Sequence, residues 1–376
     1  MLLNNETVKE AATSVGITQI GITTAEPLLY MKQRLLRRQD EGRITPFEEN
    51  NPAKRLSPAH LLNNCRSIIT LALPYATPEG TYNEHIQKSE PRGAVARCAR
   101  AVDYHLLVED KARLIVEAIQ KQTATHFNSR ILSDRSPLLE RELAHNSNLG
   151  LIGENCTLIN PHYGSYTVLG TILIDREIYP DQAIEQACLH CGECRRACPT
   201  GALTEPYIIN PYRCRSYLTQ ASGVVLPGMR SIMGHHIYGC DLCLEACPLN
   251  KSVEQAPYPE LSFILFPAEP LLIPLVQMTR KEFDFSIGLT SAGWRGKTTL
   301  QRNAVIALGN NGDRTAVKIL ARLLENDKRI LIRQHAAWAL GQLGGEKSKF
   351  ALEKCCLSDP EEEVKKEAGL ALTNYS

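Results

Sequence analysis

A chain of 376 residues is too long for one core of usual size, so two or three domains are expected. Hydrophobic residues make up 43%, ordinary for a soluble globular protein, and no apolar run reaches the length needed to span a bilayer. A net charge of +1 excludes the strongly basic overall balance that by itself announces a nucleic-acid partner, which leaves the local distribution of charge to be read.

The start, Met1-Leu2-Leu3-Asn4-Asn5-Glu6, lacks the basic and apolar regions of a secretory signal. Arg37-Arg38 runs into Gln39-Asp40-Glu41 rather than the apolar stretch of a twin-arginine export signal. The expected location is therefore the cytoplasm, with no membrane partner, where cysteines stay reduced and a disulfide framework is not expected.

Residues 1–178 alternate helical and strand patterns. Val8, Ala11, Ala12 and Val15 mark an amphipathic helix leading into Gln19-Ile20-Gly21-Ile22, and residues 67–73 and Thr167–Ile174 read as buried strands. This is an α/β or α+β domain with a substantial core. Within it, Asp134 stands where an N-cap is expected for a helix beginning near Ser136-Pro137.

Residues 179–255 are rich in cysteine. Seven of the thirteen cysteines form two ladders, Cys188-x2-Cys191-x2-Cys194-x3-Cys198-Pro199 and Cys240-x2-Cys243-x3-Cys247-Pro248. Four thiolates crowded into one loop, followed by proline, is the spacing by which a ferredoxin-like fold wraps two 4Fe-4S clusters. The chain crosses over in such folds, so Cys188, Cys191, Cys194 and Cys247 are assigned to the first cluster. The second has Cys198, Cys240 and Cys243 and is one ligand short, because Ile237 occupies the missing rung; Cys214, between the ladders, is the natural fourth. Paired C-x2-C motifs also make zinc sites, and zinc is the alternative.

Residues 256–376 hold a linker and a repeat. Asn303-Ala304-x2-Ala307-Leu308-Gly309 recurs around Ala336 and Ala368, each 32 positions on. Small residues and leucines at that period stack helix pairs as in HEAT-like repeats, either as a surface for a large partner or as a stability cap. Arg295, Lys297, Arg302 and Arg314 concentrate basic charge just before and within the first repeat, and Asp359-Pro360-Glu361-Glu362-Glu363 is acidic. No G-x-G-x-x-G fingerprint is present, and Asp103-x-His105-x2-Val108 echoes a cobalamin-binding motif without its glycine.

Beyond the ladders, several blocks occur in order: Lys54-Arg55-x2-Pro58, Arg92-Gly93 with Asp103-Tyr104-His105, Ser133-Asp134-x2-Pro137-x2-Glu140-Arg141, and Gly150-x2-Gly153-x-Asn155-x2-Leu158-Ile159-x-Pro161-x2-Gly164-Ser165. Arg213-Cys214-x-Ser216-Tyr217-Leu218-Thr219, Tyr238-Gly239-Cys240-Asp241 and Gly293-Trp294-Arg295-Gly296-x4-Gln301-Arg302-Asn303-Ala304 follow. Together they resemble the epoxyqueuosine reductases nearly end to end. The resemblance implies a multidomain α+β enzyme in which two 4Fe-4S clusters feed a cobalamin held by the N-terminal domain, an epoxide on a tRNA base is reduced, and its oxygen leaves as water. Asp134 is then the proton donor rather than a cap. Arg55, Leu158, Ile159 and Asn160 are expected at the corrin, with Ser216 and Asp241 between the second cluster and cobalt. Trp294, Arg295, Lys297 and Arg302 are expected at the tRNA anticodon, and a flavodoxin- or ferredoxin-type donor supplies electrons to a monomer. One departure stands out: Ala96 puts a methyl group where the family often has an aromatic or a thiol, and Cys98 replaces it only if the register shifts. A dehalogenase-like enzyme and a non-catalytic electron-transfer adaptor are the competing readings.

Overall fold

The structure, a computed structural model, describes residues 3–75 and 90–373. The chain forms two compact units built from interleaved segments. One draws on residues 3–75, 103–212 and 242–262, the other on 90–102, 213–241 and 263–373.

The first unit is organised by a four-stranded sheet in the order Ile20–Thr24, Ser67–Pro74, Thr167–Ile174, Ser129–Leu132. All three pairings are antiparallel, with Ile22 opposite Ile69, Leu71 opposite Gly170 and Ile131 opposite Ile172. Of the two readings open from sequence, this selects α+β. Ser67–Pro74 is buried at every position, which explains its unbroken apolar run: both faces are covered. The helix Tyr104–Thr123 buries Val108, Ala112, Ile115 and Ile119, while Leu143 and Ala144 of the helix Glu140–Asn146 join two further core clusters of the sheet. The cysteine-rich stretch carries only short elements, the longest regular piece in its first half being the four-residue helix Glu193–Arg196.

The second unit is dominated by five helices, Gly296–Asn311, Val317–Asn326, Ile330–Leu343, Glu346–Ser358 and Glu362–Leu372. Ala304, Ala336 and Ala368 are all fully buried, so the 32-residue period is the period of helix-to-helix packing. The glycines ending the first two repeats of the motif have the same cause. A Cβ at Gly309 would stand 2.9 Å from the Ala339 Cα, and one at Gly341 would stand 2.7 Å from the Ala371 Cβ. Only hydrogen permits the backbones to approach that closely. The same core includes Val95, Ile237, Tyr238 and Phe266, so the earlier segments of this unit pack as one body with the repeats. Among the described residues no helix is long and apolar enough to cross a membrane.

Candidate active site and cluster-binding cavity

Asp134 does not cap a helix. The expected start near Ser136-Pro137 is irregular, and the helix begins at Glu140 with Leu139 at its N-cap and no side-chain capping bond. Asp134 sits at φ 50°, in the left-handed region that aspartate tolerates better than most residues, whereas a capping residue typically takes extended backbone. Its carboxylate is 47% exposed and accepts a hydrogen bond from the Tyr104 hydroxyl. His105 stacks on Tyr104 with ring centroids 4.2 Å apart and faces the same Asp134 oxygen with Nε2 at 3.7 Å. On its other side, His105 Nδ1 lies 2.6 Å from Asp103 Oδ1, an arrangement that assigns the proton to Nδ1 and leaves Nε2 toward Asp134. Burial pushes the Asp103 carboxyl up, but the hydrogen bonds from His105 outweigh it and hold the group low. The Asp103-x-His105 pattern, in sequence only an echo without its glycine, is thus part of this cluster.

Glu140 is a participant that sequence reading missed. Its Oε2 accepts the Asp134 backbone N–H at 3.2 Å, and its Oε1 accepts the Ser136 hydroxyl at 3.0 Å. Burial first, and the neighbouring Asp134 charge second, push its carboxyl up to about 8. A carboxylate a few residues beyond an exposed aspartate is an ordinary helix-start residue in sequence; only folding buries it.

The remaining N-terminal candidates are more constrained than expected. Arg55 donates to Glu48 at 2.9 Å within an Arg38–Glu48–Arg55 group, and burial lowers its guanidinium. Leu158 and Ile159 form a short buried strand paired with Leu151–Ile152. Asn160 is held firmly in place: its amide donates to Gln19 Oε1 and Leu149 O, its Oδ1 accepts from His162 and Tyr163, and its backbone N–H and C=O both pair with Gly164. Its carbonyl oxygen keeps a second lone pair beyond the Gly164 bond.

The first-cluster cysteines are brought together. Cys188, Cys191, Cys194 and Cys247 line one cavity with Gly153, Glu154, Asn155, Ile159, Leu189, Gly192, Pro248 and Leu249. Burial pushes the Cys194 and Cys247 thiols up, and the neighbouring thiols push them further. Mutual repulsion of that kind is relieved when thiolates share iron, so the donor set fits a 4Fe-4S cluster. Among the described residues no three His, Cys, Asp or Glu side chains converge on a single-ion site; these thiols are arranged around a cavity instead.

The second-cluster cysteines divide between the units, Cys198 and Cys243 in the first, Cys214 and Cys240 in the other. Burial raises the Cys198 thiol, but the Thr200 hydroxyl and the N–H groups of Leu203, Thr200 and Ala202 outweigh it and hold it below its ordinary value. Thr200 Oγ1 and the Ala202 nitrogen each stand 3.3 Å from the sulfur. Donors aimed at a sulfur are what a thiolate ligand requires.

In the second unit, Asp241 accepts the Arg97 backbone N–H at 2.7 Å, and burial pushes its carboxyl up. Ser216 lies in the helix Arg215–Gln220, where its hydroxyl accepts from Gln220. Ala96 is buried, its N–H donates to Tyr238 O at 2.9 Å, and a Cβ on Gly239 would meet its methyl at 2.4 Å. That packing fixes the register, so the half-buried Cys98 does not take its place. Trp294 is 54% exposed; its Nε1 donates to Tyr238 at 2.8 Å and one ring face carries the Arg295 guanidinium at 4.4 Å. Lys297 is half-buried and donates to Met278 O at 3.1 Å. Arg302 requires a correction. It is fully buried, donates to the carbonyls of Leu218, Ala221 and Gly223 and to Asn303, and is lowered to about 10 by burial and by Arg295. It cannot reach a phosphate.

A family model described as a 4Fe-4S double cluster binding domain matches residues 187–250, and one described as HEAT repeats matches 296–373. With the α+β layer, these define an iron–sulfur oxidoreductase carrying a helical-repeat tail. A third model, described as epoxyqueuosine reductase QueG, DUF1730, matches residues 55–135. An epoxyqueuosine reductase of Bacillus subtilis strain 168 is 36% identical over 367 residues, 96% of this chain and 93% of its own. A crystal structure of an epoxyqueuosine reductase with an epoxyqueuosine-modified tRNA-Tyr stem loop matches with a TM-score of 0.91 at 34% identity, over 98% of both chains. The Bacillus subtilis enzyme with its catalytic loop swung out of the active site matches at 0.90, again at 34% identity over 98% of both chains. The chain belongs to the epoxyqueuosine reductase family.

Proposed function

We propose that the chain converts epoxyqueuosine in the tRNA anticodon to queuosine, the last step in making that base, with the epoxide oxygen leaving as water. Bound cobalamin would supply the two electrons, and the two 4Fe-4S clusters would relay them from a flavodoxin- or ferredoxin-type donor. Both carbon–oxygen bonds of the epoxide break, a carbon–carbon double bond forms, and two protons leave with the oxygen. An alkoxide is a poor leaving group, so a positioned acid is worth about a hundredfold or more.

Asp134 is assigned that role. The observation that carries it is its freedom from capping duty: a carboxylate on left-handed backbone, half-exposed, held by Tyr104 and faced by His105. Tyr104 orients it, the His105 ring stands against it with Nε2 at 3.7 Å, and Glu140, kept protonated near pH 7, spares it a second adjacent anion. Arg55 and the backbone of Leu158, Ile159 and Asn160 are assigned to the corrin surroundings, Ser216 and Asp241 to the side facing the second cluster, and Trp294, Arg295 and Lys297 to the tRNA.

The test is turnover of a tRNA stem loop carrying epoxyqueuosine by Asp134→Asn beside the wild type. We expect a loss on the order of a hundredfold or more, with iron content and tRNA affinity unchanged. Undiminished turnover by the variant removes Asp134 from the mechanism.

A further inference from the structure

The turn between the strands Leu151–Ile152 and Leu158–Ile159 contributes Gly153, Glu154 and Asn155 to the cavity lined by Cys188, Cys191, Cys194 and Cys247. Asn155 is 4% exposed. Its Oδ1 accepts from the Thr157 backbone N–H at 3.2 Å and from the Thr157 hydroxyl at 2.8 Å. These bonds fix which end of the amide is which, because the reverse orientation would set its NH₂ against the Thr157 N–H. Gly153 makes the arrangement possible, since a Cβ there would stand 2.6 Å from that oxygen. The outcome is that Asn155 Nδ2 is buried with no hydrogen-bond partner among the described residues.

A buried donor left without an acceptor costs about 1–3 kcal/mol. Here the orphaned amide borders a cavity lined by four thiols and by Glu154, whose carboxylate is engaged by His190 Nδ1 at 2.9 Å and does not accept from Asn155; the sulfurs of an iron–sulfur cluster accept N–H hydrogen bonds that tune its potential. We infer that Asn155 donates an N–H···S hydrogen bond to the cluster held by Cys188, Cys191, Cys194 and Cys247 and raises its reduction potential. The bond strengthens when the cluster gains an electron, so it favours the reduced form and eases uptake from a weak external donor. The assignment rests on the two-cluster reading above.

EPR-monitored redox titration of the anaerobically reconstituted protein tests it with Asn155→Asp, which keeps the oxygen for Thr157 and removes both N–H donors. At fixed potential the reduced-to-oxidised ratio of one cluster should fall about tenfold or more, which is ~59 mV for a one-electron couple, while the other cluster is unmoved. Wild-type protein labelled with ¹⁵N in asparagine side-chain amides gives a readout independent of the variant's folding: pulsed EPR should show a ¹⁵N coupling to the reduced cluster. Two intact clusters with an unshifted midpoint, or no such coupling, overturn the role of Asn155. Protein that takes up no iron at all overturns the cluster reading itself.

Discussion

Glu140 illustrates how a single side chain can carry a pH signature. Its carboxyl lies well above the ordinary glutamate range in the fold, so between about pH 4.5 and 8 the folded chain holds a proton that the unfolded chain has released. The stabilisation is present in full below the lower limit and is lost as pH rises through the upper one. Glu140→Gln should flatten the decline of denaturation midpoint across that window; an unchanged slope would mean the carboxyl titrates normally. None of this is legible in the sequence, where Glu140 is one acidic residue among several at a helix start. The cysteine ladders are legible for the opposite reason: their information is spacing within a loop, and spacing survives in one dimension. Arg302 misleads in sequence because its charge suggests a phosphate ligand, whereas the chain spends it on its own carbonyls.

At the level of elements, the helix Gly296–Asn311 is the instructive case. Leu300, Ala304, Val305, Ile306, Ala307 and Leu308 are at most 1% exposed, so the helix has no solvent stripe over that stretch, and its polar residues Gln301, Arg302 and Asn303 are interior. The signal is present in the sequence: a helix with apolar residues on every face is a buried helix. Arg302→Leu should leave the Leu218, Ala221 and Gly223 carbonyls without a donor and cost roughly 3 kcal/mol or more. Denaturation of purified variant and wild type would measure it, and a cost under about 1 kcal/mol, the range of ordinary surface changes, would contradict this account. The 32-residue repeat is readable because small residues recur wherever helices touch. The sheet is readable as strands, but its antiparallel order is not, since order depends on partners far away in the chain.

For the whole molecule, charge is balanced, so the tRNA surface proposed above has to be a local one. Trp294 and Arg295 present an indole and a guanidinium on a half-exposed corner of the repeat-bearing unit, the chemistry that suits an unpaired base and its phosphate. Arg295→Ala should weaken stem-loop binding and lower the slope of log affinity against log salt by about 0.7–0.9 for each phosphate that is no longer neutralised; an unaltered slope would place the interface elsewhere. A different consequence follows from the thiol-lined cavity. The stretch that supplies Cys188 and Cys191 has no regular secondary structure before Glu193, and Leu189 lies 57% exposed beside them, so little apolar burial holds it in place. Ligation then has to do what a core does elsewhere. Iron-free protein should be cut by protease within residues 181–200 far sooner than reconstituted protein, and equal lifetimes would refute the idea. In a cell short of iron, the abundance of this enzyme would track the metal supply by simple turnover, with no dedicated sensor.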